Sequence, residues 1–437
     1  MRRIDLRGQN VEEATLNLAL PRAELDIAAA IEQVRPIVDA VKTEGMDAIV
    51  RFSERFDQVR PPALAVPREV RRDALAQMDP ELASALTEAA DRARLAHRSQ
   101  VPPGATVDVC PGGTVTQRWI PVRRVGLYVP GGLTAYPSSV AMNVVPAQVA
   151  GVKSIAVASP PQAAHGGWPH PTVLAACELL GVQEVYAIGG AQAIALLAYG
   201  LTDDAGHRLT APVDVITGPG NIWVQAAKRL VLGVVGIDAE AGPTEIAILA
   251  DASAEPEYVA ADLLSQAEHD PLAASVLVTD SPELADSVDA ALTRRAAATK
   301  HAERARQALT GQQSGIILVD DLPAGIAVIN AYAAEHLEIQ TVDAPGVAAL
   351  IHSAGAIFVG PGSPVPLGDY MAGSNHVLPT GGTARFASGL GAMSFLKSVQ
   401  QIEYTQAALL QAAPQVAQLA QAEDFPAHNA SVHSRHP

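Results

Sequence analysis

The stretch LLSQAEHD, residues 263–270, holds a carboxamide and an imidazole three positions apart, Gln266 and His269. On a helix this spacing places both side chains on one face. Val259, Leu263 and Gln266 form one stripe of this helix, so we expect Gln266 to point towards a core. An unpaired buried carboxamide would cost about 1–3 kcal/mol. The pair is therefore either half of a metal site or an ordinary helix end with a capping histidine and a hydrogen-bonded glutamine.

Two further stretches supply side chains that could complete a metal site. Residues 366–386 are Gly-rich, hold Asp369 and His376, and are predicted to form a long loop without regular structure. Loops of this length are more often functional than idle. His428 stands beyond the last predicted helix. One Asp, two His and a Gln would form a set of nitrogen and oxygen ligands suited to zinc or manganese.

Glu335 and His336 are neighbours in AAEHLEIQ, at the point where a strand is predicted to start. Beside a metal that leaves room for a substrate atom, they would act as an acid/base pair. The alternative is that His336 only caps the edge of a strand.

Three Gly-rich turns could hold a dinucleotide. GPGNIW at 218–223 follows the predicted strand VDVIT and opens a helix, the context in which a phosphate binds at a helix N-terminus. Trp223 stands where the fingerprint needs a third glycine, so a simple tight turn is the alternative. The other turns, at 128–132 and 188–192, follow strands of the same unit, and ligands of open α/β sheets bind beyond the carboxyl ends of strands. The side chains expected to line this crevice are Tyr128, Gln192 and Asn221.

The elements that position these residues alternate between short apolar runs and helical patterns from residue 125 onwards. Such alternation is typical of parallel sheets with helices on both faces. We predict an α/β protein with two Rossmann-like parallel-sheet units, and we expect Pro36 to kink or break the helical stretch 26–60. The predicted parts are an N-terminal arm at 1–25, a first Rossmann-like domain at 26–127 and 244–385, a second at 128–243, and a C-terminal helical tail at 386–437.

The composition excludes several classes of function. The chain has 437 residues and a net charge of −16, which disfavours binding to nucleic acid and to anionic membranes. No apolar run is long enough to span a bilayer, and MRRIDLRGQN does not have the pattern of a signal peptide. The two cysteines, Cys110 and Cys177, do not have a metal-binding spacing, and they fit a reduced, cytoplasmic protein.

A series of ordered blocks between about residues 120 and 428 resembles the histidinol dehydrogenase family. The blocks are RVGLYVPGG, YPSSVAMNVVPAQVAGV, GGAQAIALLAYG, TGPGN with AAKR, IDAEAGPTE, SQAEHD, AAEHLEI, GAIFVGP, GDYMAGSNHVLPT and AEDFPAH, and RIDLRG resembles the family's opening. The resemblance implies oxidation of L-histidinol to L-histidine through L-histidinaldehyde, with two NAD and one zinc ion per site. It also implies an intertwined homodimer in which the C-terminal tail reaches the partner's site.

The resemblance also implies roles for individual residues. The zinc ligands would be Gln266, His269 and Asp369 of one subunit and His428 of the other. The catalytic pair would be Glu335 and His336, and the NAD contacts would be Tyr128, Gln192 and Asn221. The substrate contacts would be the zinc ligands and the catalytic pair together with Thr244, His376 and Glu423. Asp238 and Glu240, about twenty positions after the GPGN turn, hint weakly at a free ribose hydroxyl and thus at NAD over NADP.

Two alternatives remain open at this point. A relative with the same fold could oxidise another small alcohol, such as a sulfonated propanediol, but Glu423 facing an ammonium group would have no use there. A metal-binding or regulatory protein that had lost catalysis would be expected to lose Glu335 or His336 first, and both are present.

Overall fold

A computed structural model describes residues 1–9, 20–23, 26–131, 134–203, 205–239 and 242–435. Residues 10–19 and 24–25 of the predicted arm, Gly132 of a predicted turn and Glu240 lie outside the described residues. Among the helices of the described part, none is both long and apolar enough to cross a membrane.

Two parallel sheets dominate the fold. The strands are β1 (Arg3–Asp5), β2 (Ala105–Cys110), β3 (Gly113–Pro121), β4 (Arg124–Tyr128), β5 (Ser154–Ser159), β6 (Glu184–Ala187), β7 (Leu201–Thr202), β8 (Arg208–Thr210), β9 (Val215–Thr217), β10 (Gly236–Ile237), β11 (Glu245–Ala250), β12 (Ala274–Thr279), β13 (Gly315–Leu318), β14 (His336–Gln340), β15 (Ala356–Val359) and β16 (Leu396–Tyr404). A six-stranded sheet has the order β1-β13-β12-β11-β14-β15, and a five-stranded sheet has the order β10-β9-β4-β5-β6. All neighbours in both sheets pair in parallel, which confirms the predicted α/β class with two parallel-sheet units.

Helices cover both faces of each sheet, which is why strands such as β11 and β12 are mainly apolar and are buried along their whole length. The helices are α1 (Ile27–Glu44), α2 (Met46–Phe52), α3 (Arg68–Ala76), α4 (Pro80–Arg98), α5 (Pro137–Ala150), α6 (Pro171–Leu179), α7 (Gly190–Tyr199), α8 (Ile222–Val231), α9 (Pro256–Ala267), α10 (Pro282–Ala298), α11 (Ala302–Thr310), α12 (Leu322–Tyr332), α13 (Ala344–Ala348), α14 (Val365–Tyr370), α15 (Gln406–Ala422) and α16 (Pro426–His433). The six-stranded sheet lies between α9–α11 on one face and α12–α13 on the other.

The N-terminal helices pack on the five-stranded sheet, and this differs from the predicted domain boundaries. Val34 and Val38 of α1 share a core with Ile188 and Ile194, and Ala93 of α4 lies in the core on the opposite face. The prediction joined residues 26–127 to the six-stranded unit. The apolar stripes of the helices in this segment pack against the five-stranded unit instead. Helical periodicity shows that a helix has an apolar face, but it does not specify which sheet that face will cover.

Three local expectations also need correction. Helix α1 runs through Pro36 without ending, and the break comes at Gly45, which has φ of 62°. The stretch predicted as a structureless loop at 366–386 lies partly in α14, whose last turn carries Asp369. The C-terminal tail begins with β16, which pairs antiparallel with β3 along its whole length, and only then becomes helical.

Candidate functional site

The predicted chemical residues gather at the amino edge of the six-stranded sheet. His336 is the first residue of β14, and Thr244 directly precedes β11, the strand beside it. Helix α9 runs back along the sheet, so its last turn, with Gln266, returns to the same edge. Gln266 is only 2% exposed, which confirms the expectation that it points into the protein.

A chain of hydrogen bonds joins the glutamine to the acid. The amide nitrogen of Gln266 donates to the hydroxyl of Thr244, and this hydroxyl donates to Oε2 of Glu335 at 2.6 Å. The backbone N–H of Glu245 donates to the same carboxylate oxygen at 2.9 Å. Because the nitrogen of Gln266 is engaged, its carboxamide oxygen is the atom that remains for a ligand or a cation.

His336 is held so that one ring nitrogen is available for chemistry. Its Nδ1 lies 3.2 Å from the carbonyl oxygen of Glu245, and a carbonyl can only accept, so Nδ1 carries the proton of the neutral ring. Its Nε2 is buried and has no hydrogen-bond partner among the described residues. The ring is therefore fixed in place with a free lone pair that points away from the carbonyl.

Burial shifts the pKa values of Glu335 and His336 in opposite directions. Burial raises the pKa of Glu335 to about 8, and the nearby carboxylate of Asp369 adds to this increase while the hydrogen bond from Thr244 opposes it. Burial lowers the pKa of His336, so the imidazole is neutral at neutral pH. Nδ1 of His336 lies 3.5 Å from Oε2 of Glu335. Paired groups whose environments separate their proton affinities are typical of acid/base sites.

Asp369 and His376 lie beside this pair. Oδ1 of Asp369 is 4.0 Å from Nε2 of His336. Burial lowers the pKa of both His269 and His376, and the nearby carboxylate of Asp369 opposes this decrease. Nδ1 of His376 donates to the carbonyl oxygen of Asp369 at 3.1 Å, and its Nε2 is 3.2 Å from the hydroxyl of Ser139 on α5. This last contact joins the edge of one sheet unit to the other unit.

The structure does not bring the two tail residues to this cluster. Glu423 and His428 are exposed at the end of α15 and on α16 of the same subunit. The ring of His428 stacks on Phe425, with ring centroids 5.0 Å apart. Within one subunit the tail therefore contributes nothing to the predicted site.

The donor set of one subunit fits part of a metal site. Among the described residues, no group of three or more His, Cys, Asp or Glu side chains is arranged to hold a metal ion. Gln266 is not one of these residue types, and its oxygen is the atom left over by the bond to Thr244. Gln266, His269 and Asp369 would supply one carboxamide, one imidazole and one carboxylate, and a zinc site needs at least one further donor. Zinc therefore remains a prediction.

The predicted cofactor residues meet in a crevice at the carboxyl edge of the five-stranded sheet. The crevice has a volume of about 810 Å³, and Tyr128, Gln192 and Asn221 all line it. Tyr128 accepts a hydrogen bond from the N–H of Gly190 at 3.2 Å. Asn221 caps helix α8 by accepting from two backbone N–H groups, so its own NH₂ group is left to donate. The structure thus brings together the three side chains that the Gly-rich turns indicated.

The GPG turn at 218–220 is fixed from below by a buried ion pair. A Cβ at Gly218, where φ is 117°, would collide with the carbonyl oxygen of Tyr128, so only glycine fits there. Lys228 donates to the carbonyl oxygen of Gly218 at 3.0 Å and pairs with Asp238, and Asp238 accepts from the N–H of Gly218 at 2.7 Å. Asp238 is therefore committed to the turn, and it does not face a ribose as the sequence hinted.

Several residues of both regions were missed by the sequence analysis. Arg22 pairs with Glu245 at 3.2 Å, stacks over the ring of Tyr332 and donates to the carbonyl oxygen of Tyr332. Asp57 and Gln162 line the cofactor crevice. Arg22 and Asp57 lie between β1 and the first strand of the five-stranded sheet, and no motif marked them. The sequence indicated only that the segments holding these two residues pack against the rest of the protein, and it did not indicate where.

The fold and the site together define an α/β enzyme with two Rossmann-like units, one of which carries a buried Glu–His pair and the other a crevice of about 810 Å³. The family model described as histidinol dehydrogenase matches residues 20–436. The chain is 62% identical over 430 residues to the histidinol dehydrogenase of Nocardia farcinica, covering 98% of this chain and 96% of that relative. It is 61% identical over 435 residues to the enzyme of Thermobifida fusca, covering 100% and 97%.

A solved structure gives the same answer. The crystal structure of histidinol dehydrogenase from Elizabethkingia anophelis matches with a TM-score of 0.91 at 31% identity, covering 100% of this chain and 98% of that one. The chain belongs to the histidinol dehydrogenase family. It is accordingly an oxidoreductase of the last step of histidine biosynthesis.

Proposed function

We propose that this enzyme converts L-histidinol into L-histidine through bound L-histidinaldehyde, with two NAD and one zinc ion per site. We also propose that it works in the cytoplasm as a homodimer with shared sites. Membership of the family and the crevice lined by Tyr128, Gln192 and Asn221 support the use of NAD. Cys110 and Cys177 form no disulfide bond, and free thiols are compatible with a reducing compartment.

The observation that carries the proposal is the orientation of His336. Its Nδ1–H is fixed by the carbonyl of Glu245, and its buried Nε2 has no partner in the described part of the chain. Nε2 is therefore ready to take the hydroxyl proton of histidinol while the carbinol carbon loses a hydride. NAD, when bound, supplies the acceptor for that hydride. The alcohol thus loses one proton and one hydride and becomes the aldehyde.

Glu335 is placed for the second oxidation. Its carboxylate accepts from Thr244 and from the N–H of Glu245, and burial raises its pKa to about 8. A base with such a pKa takes a proton from water efficiently and releases it again. The hydroxide that results would add to the aldehyde carbon, and a second hydride would leave that carbon for a second NAD. The carboxylic acid formed in this way would release one proton to become the carboxylate of histidine.

The N and O donors beside this pair would bind the metal. Gln266, His269 and Asp369 would hold it in one subunit, with His428 of the partner subunit as the fourth ligand. The bound metal would fix the amino and imidazole nitrogens of the substrate and so orient the reacting carbon. Thr244 and His376 would line the substrate, and Glu423 of the partner subunit would face its ammonium group.

An assay with L-histidinol and NAD tests the proposed reaction. We expect two NADH per histidinol, and we expect chelation to abolish turnover until zinc is restored. If the protein left histidinol untouched and oxidised another small alcohol, the proposed substrate would be wrong.

Mixing two inactive variants tests the shared site. His336→Ala and His428→Ala would each be inactive alone, but a mixed dimer keeps one site in which both histidines are intact. Random mixing should restore about a quarter of the parent activity, as expected for a two-fold symmetric dimer. A mixture that stays inactive, although mass spectrometry shows mixed dimers, would contradict a site built from two subunits.

A further inference from the structure

The cofactor crevice contains three buried polar atoms that nothing satisfies within the described chain. They are Oδ2 of Asp57, Nε2 of Gln162 and Nε2 of Gln192, and all three side chains line the crevice. A buried polar group without a partner costs about 1–3 kcal/mol, so such groups are rare unless a ligand or water completes them. One acceptor and two donors in one crevice therefore indicate a ligand with both hydroxyl groups and acceptor atoms.

Asp57 is the only one of these three groups that can carry a charge. It ends a turn of π-helix at Ser53–Asp57, directly after α2, and faces the crevice near Tyr128. The described part of the chain gives it no ion pair. Burial raises the pKa of Asp57 to about 7, as expected for a carboxyl group without a compensating charge. Donors from a bound ligand would stabilise its ionised form.

The usual carboxylate of a Rossmann unit is not available for this task. In such units an acidic residue about twenty positions after the Gly-rich turn binds the ribose 2′-hydroxyl of NAD. Asp238 stands at that distance here, but it is buried in its ion pair with Lys228 and bound to the N–H of Gly218. The N-terminal segment, packed on the same sheet, brings another carboxylate to the crevice instead.

We propose that Asp57 selects NAD over NADP by accepting hydrogen bonds from the hydroxyls of the adenosine ribose. This inference rests on the proposed use of NAD. A phosphate on the 2′-oxygen would remove the donor and place a second negative charge against a partly buried carboxylate, where charges interact far more strongly than in water. Gln162 and Gln192, with their unused amide N–H groups, would donate to acceptor atoms of the same cofactor.

One neighbouring cation argues for the opposite preference. Arg55 also lines the crevice, and guanidinium groups bind the 2′-phosphate of NADP. Arg55 is exposed, however, and its guanidinium lies over the ring of Phe56, 5.0 Å from the ring centroid. Water screens an exposed charge more than a buried one, so the charge of Asp57 dominates the inside of the crevice.

Equilibrium binding of the reduced cofactors to the intact protein tests the proposal, because it needs no turnover. NADH and NADPH fluorescence titrations would compare the parent with Asp57→Asn, which keeps the shape of the side chain. Glu54→Gln, an exposed change in the same turn, is the matched control. We expect Asp57→Asn to weaken NADH about 10- to 100-fold, the loss typical of hydrogen bonds to a charged group, and to improve NADPH relative to NADH at least tenfold.

A cofactor analogue identifies the atoms involved. 2′-Deoxy-NADH should bind the parent about tenfold more weakly than NADH, but it should bind Asp57→Asn as well as NADH does, since the interaction is then already lost. If 2′-deoxy-NADH bound more weakly than NADH by the same factor in the parent and in Asp57→Asn, the contact between Asp57 and the ribose would be wrong. It would also be wrong if Asp57→Asn bound NADH and NADPH with the same affinities as the parent. If the parent binds NADH but does not oxidise histidinol, the proposed reaction is wrong and the role of Asp57 still stands. If the parent binds neither reduced cofactor, both are wrong.

Discussion

The two working regions of this protein lie at opposite kinds of sheet edge. The cofactor crevice lies at the carboxyl edge of the five-stranded sheet, where β4 ends at Tyr128 and helices α7 and α8 begin. The Glu–His cluster lies at the amino edge of the six-stranded sheet, where β14 begins and α9 ends. Only the crevice follows the rule that ligands of open α/β sheets bind beyond the carboxyl ends of strands.

This difference in position determines which charge on a ligand each edge of a sheet favours. Helix N-termini carry partial positive charge and suit the pyrophosphate of a dinucleotide, whereas a helix C-terminus such as that of α9 carries partial negative charge and suits a cation. The crevice is lined mainly by neutral groups, and the cluster holds carboxylates and imidazoles. The contact between Ser139 and His376 joins the two edges. Under the proposed function, this contact would bring the hydride acceptor bound at one edge towards the acid/base pair at the other.

The largest effect is expected from removing the base at the amino edge. His336→Ala should lower kcat for histidinol oxidation by about 10²–10⁴-fold, the usual contribution of a positioned general base, and should leave NADH affinity unchanged. Glu335→Gln is the contrasting variant, because it should spare the first oxidation and block conversion of added histidinaldehyde. Stopped-flow measurement of NADH formation from each substrate checks both. If the two variants slowed the two substrates equally, separate roles would be excluded.

The sequence predicted the parts of this comparison that depend on local pattern. The start of β14 at His336, the inward direction of Gln266 and the three turns lining the crevice all follow from periodicity, turn chemistry and strand order. These features are decided by residues close together in the chain. The prediction that Glu335 and His336 form an acid/base pair also started from local pattern, since the two are neighbours in the chain.

The sequence could not predict what depends on packing between distant segments. Asp57 reaches the crevice only because α1 and α2 pack on the five-stranded sheet, and the apolar stripe of a helix does not say which sheet will cover it. Asp238 is an example in which the local pattern misled. Its spacing after the Gly-rich turn is that of a ribose-binding acid, but Asp238 forms an ion pair with Lys228 of α8 instead. The proposed role of His428 as a metal ligand would need a second subunit, and the sequence of one chain does not specify such an assembly.

A smaller effect is expected from breaking the ion pair beneath the crevice. Lys228→Met should leave Asp238 as a buried charge without its cation, and breaking such a pair costs about 3–5 kcal/mol. The free energy of unfolding from urea titrations should fall by that amount, and NADH affinity should fall with it because the GPG turn loses its support. Lys153→Met, at an exposed position, is the control. Unchanged stability in Lys228→Met would mean that the crevice is held by its backbone alone.

Beneath the amino edge lies a pair of buried acids that the proposed reaction does not use. Glu338 follows His336 by two residues, so both point to the same face of β14. Its carboxyl group lies near that of Asp262 on α9, and one of its oxygens accepts from the amide of Gln340. The other oxygen is buried and has no hydrogen-bond partner among the described residues. Burial raises the pKa of Glu338, and the neighbouring carboxyl of Asp262 raises it further, so the pair retains a proton in the folded protein.

The smallest effect we predict comes from Glu338→Gln, in which an amide N–H takes the place of the proton held by the acid pair. Because the folded protein holds the proton more tightly than the unfolded chain, stability is highest below the unfolded pKa of about 4.3 and declines as pH rises towards the raised folded value. Glu338→Gln can donate to Asp262 at every pH. It should therefore be more stable than the parent by about 1–2 kcal/mol at pH 8, with the gap closing towards pH 5. Urea unfolding across this range, with the exposed Glu69→Gln as control, measures the gap. A gap that stayed constant with pH would show that the acid pair is ionised in the folded protein, and that the charge at this edge extends into the sheet.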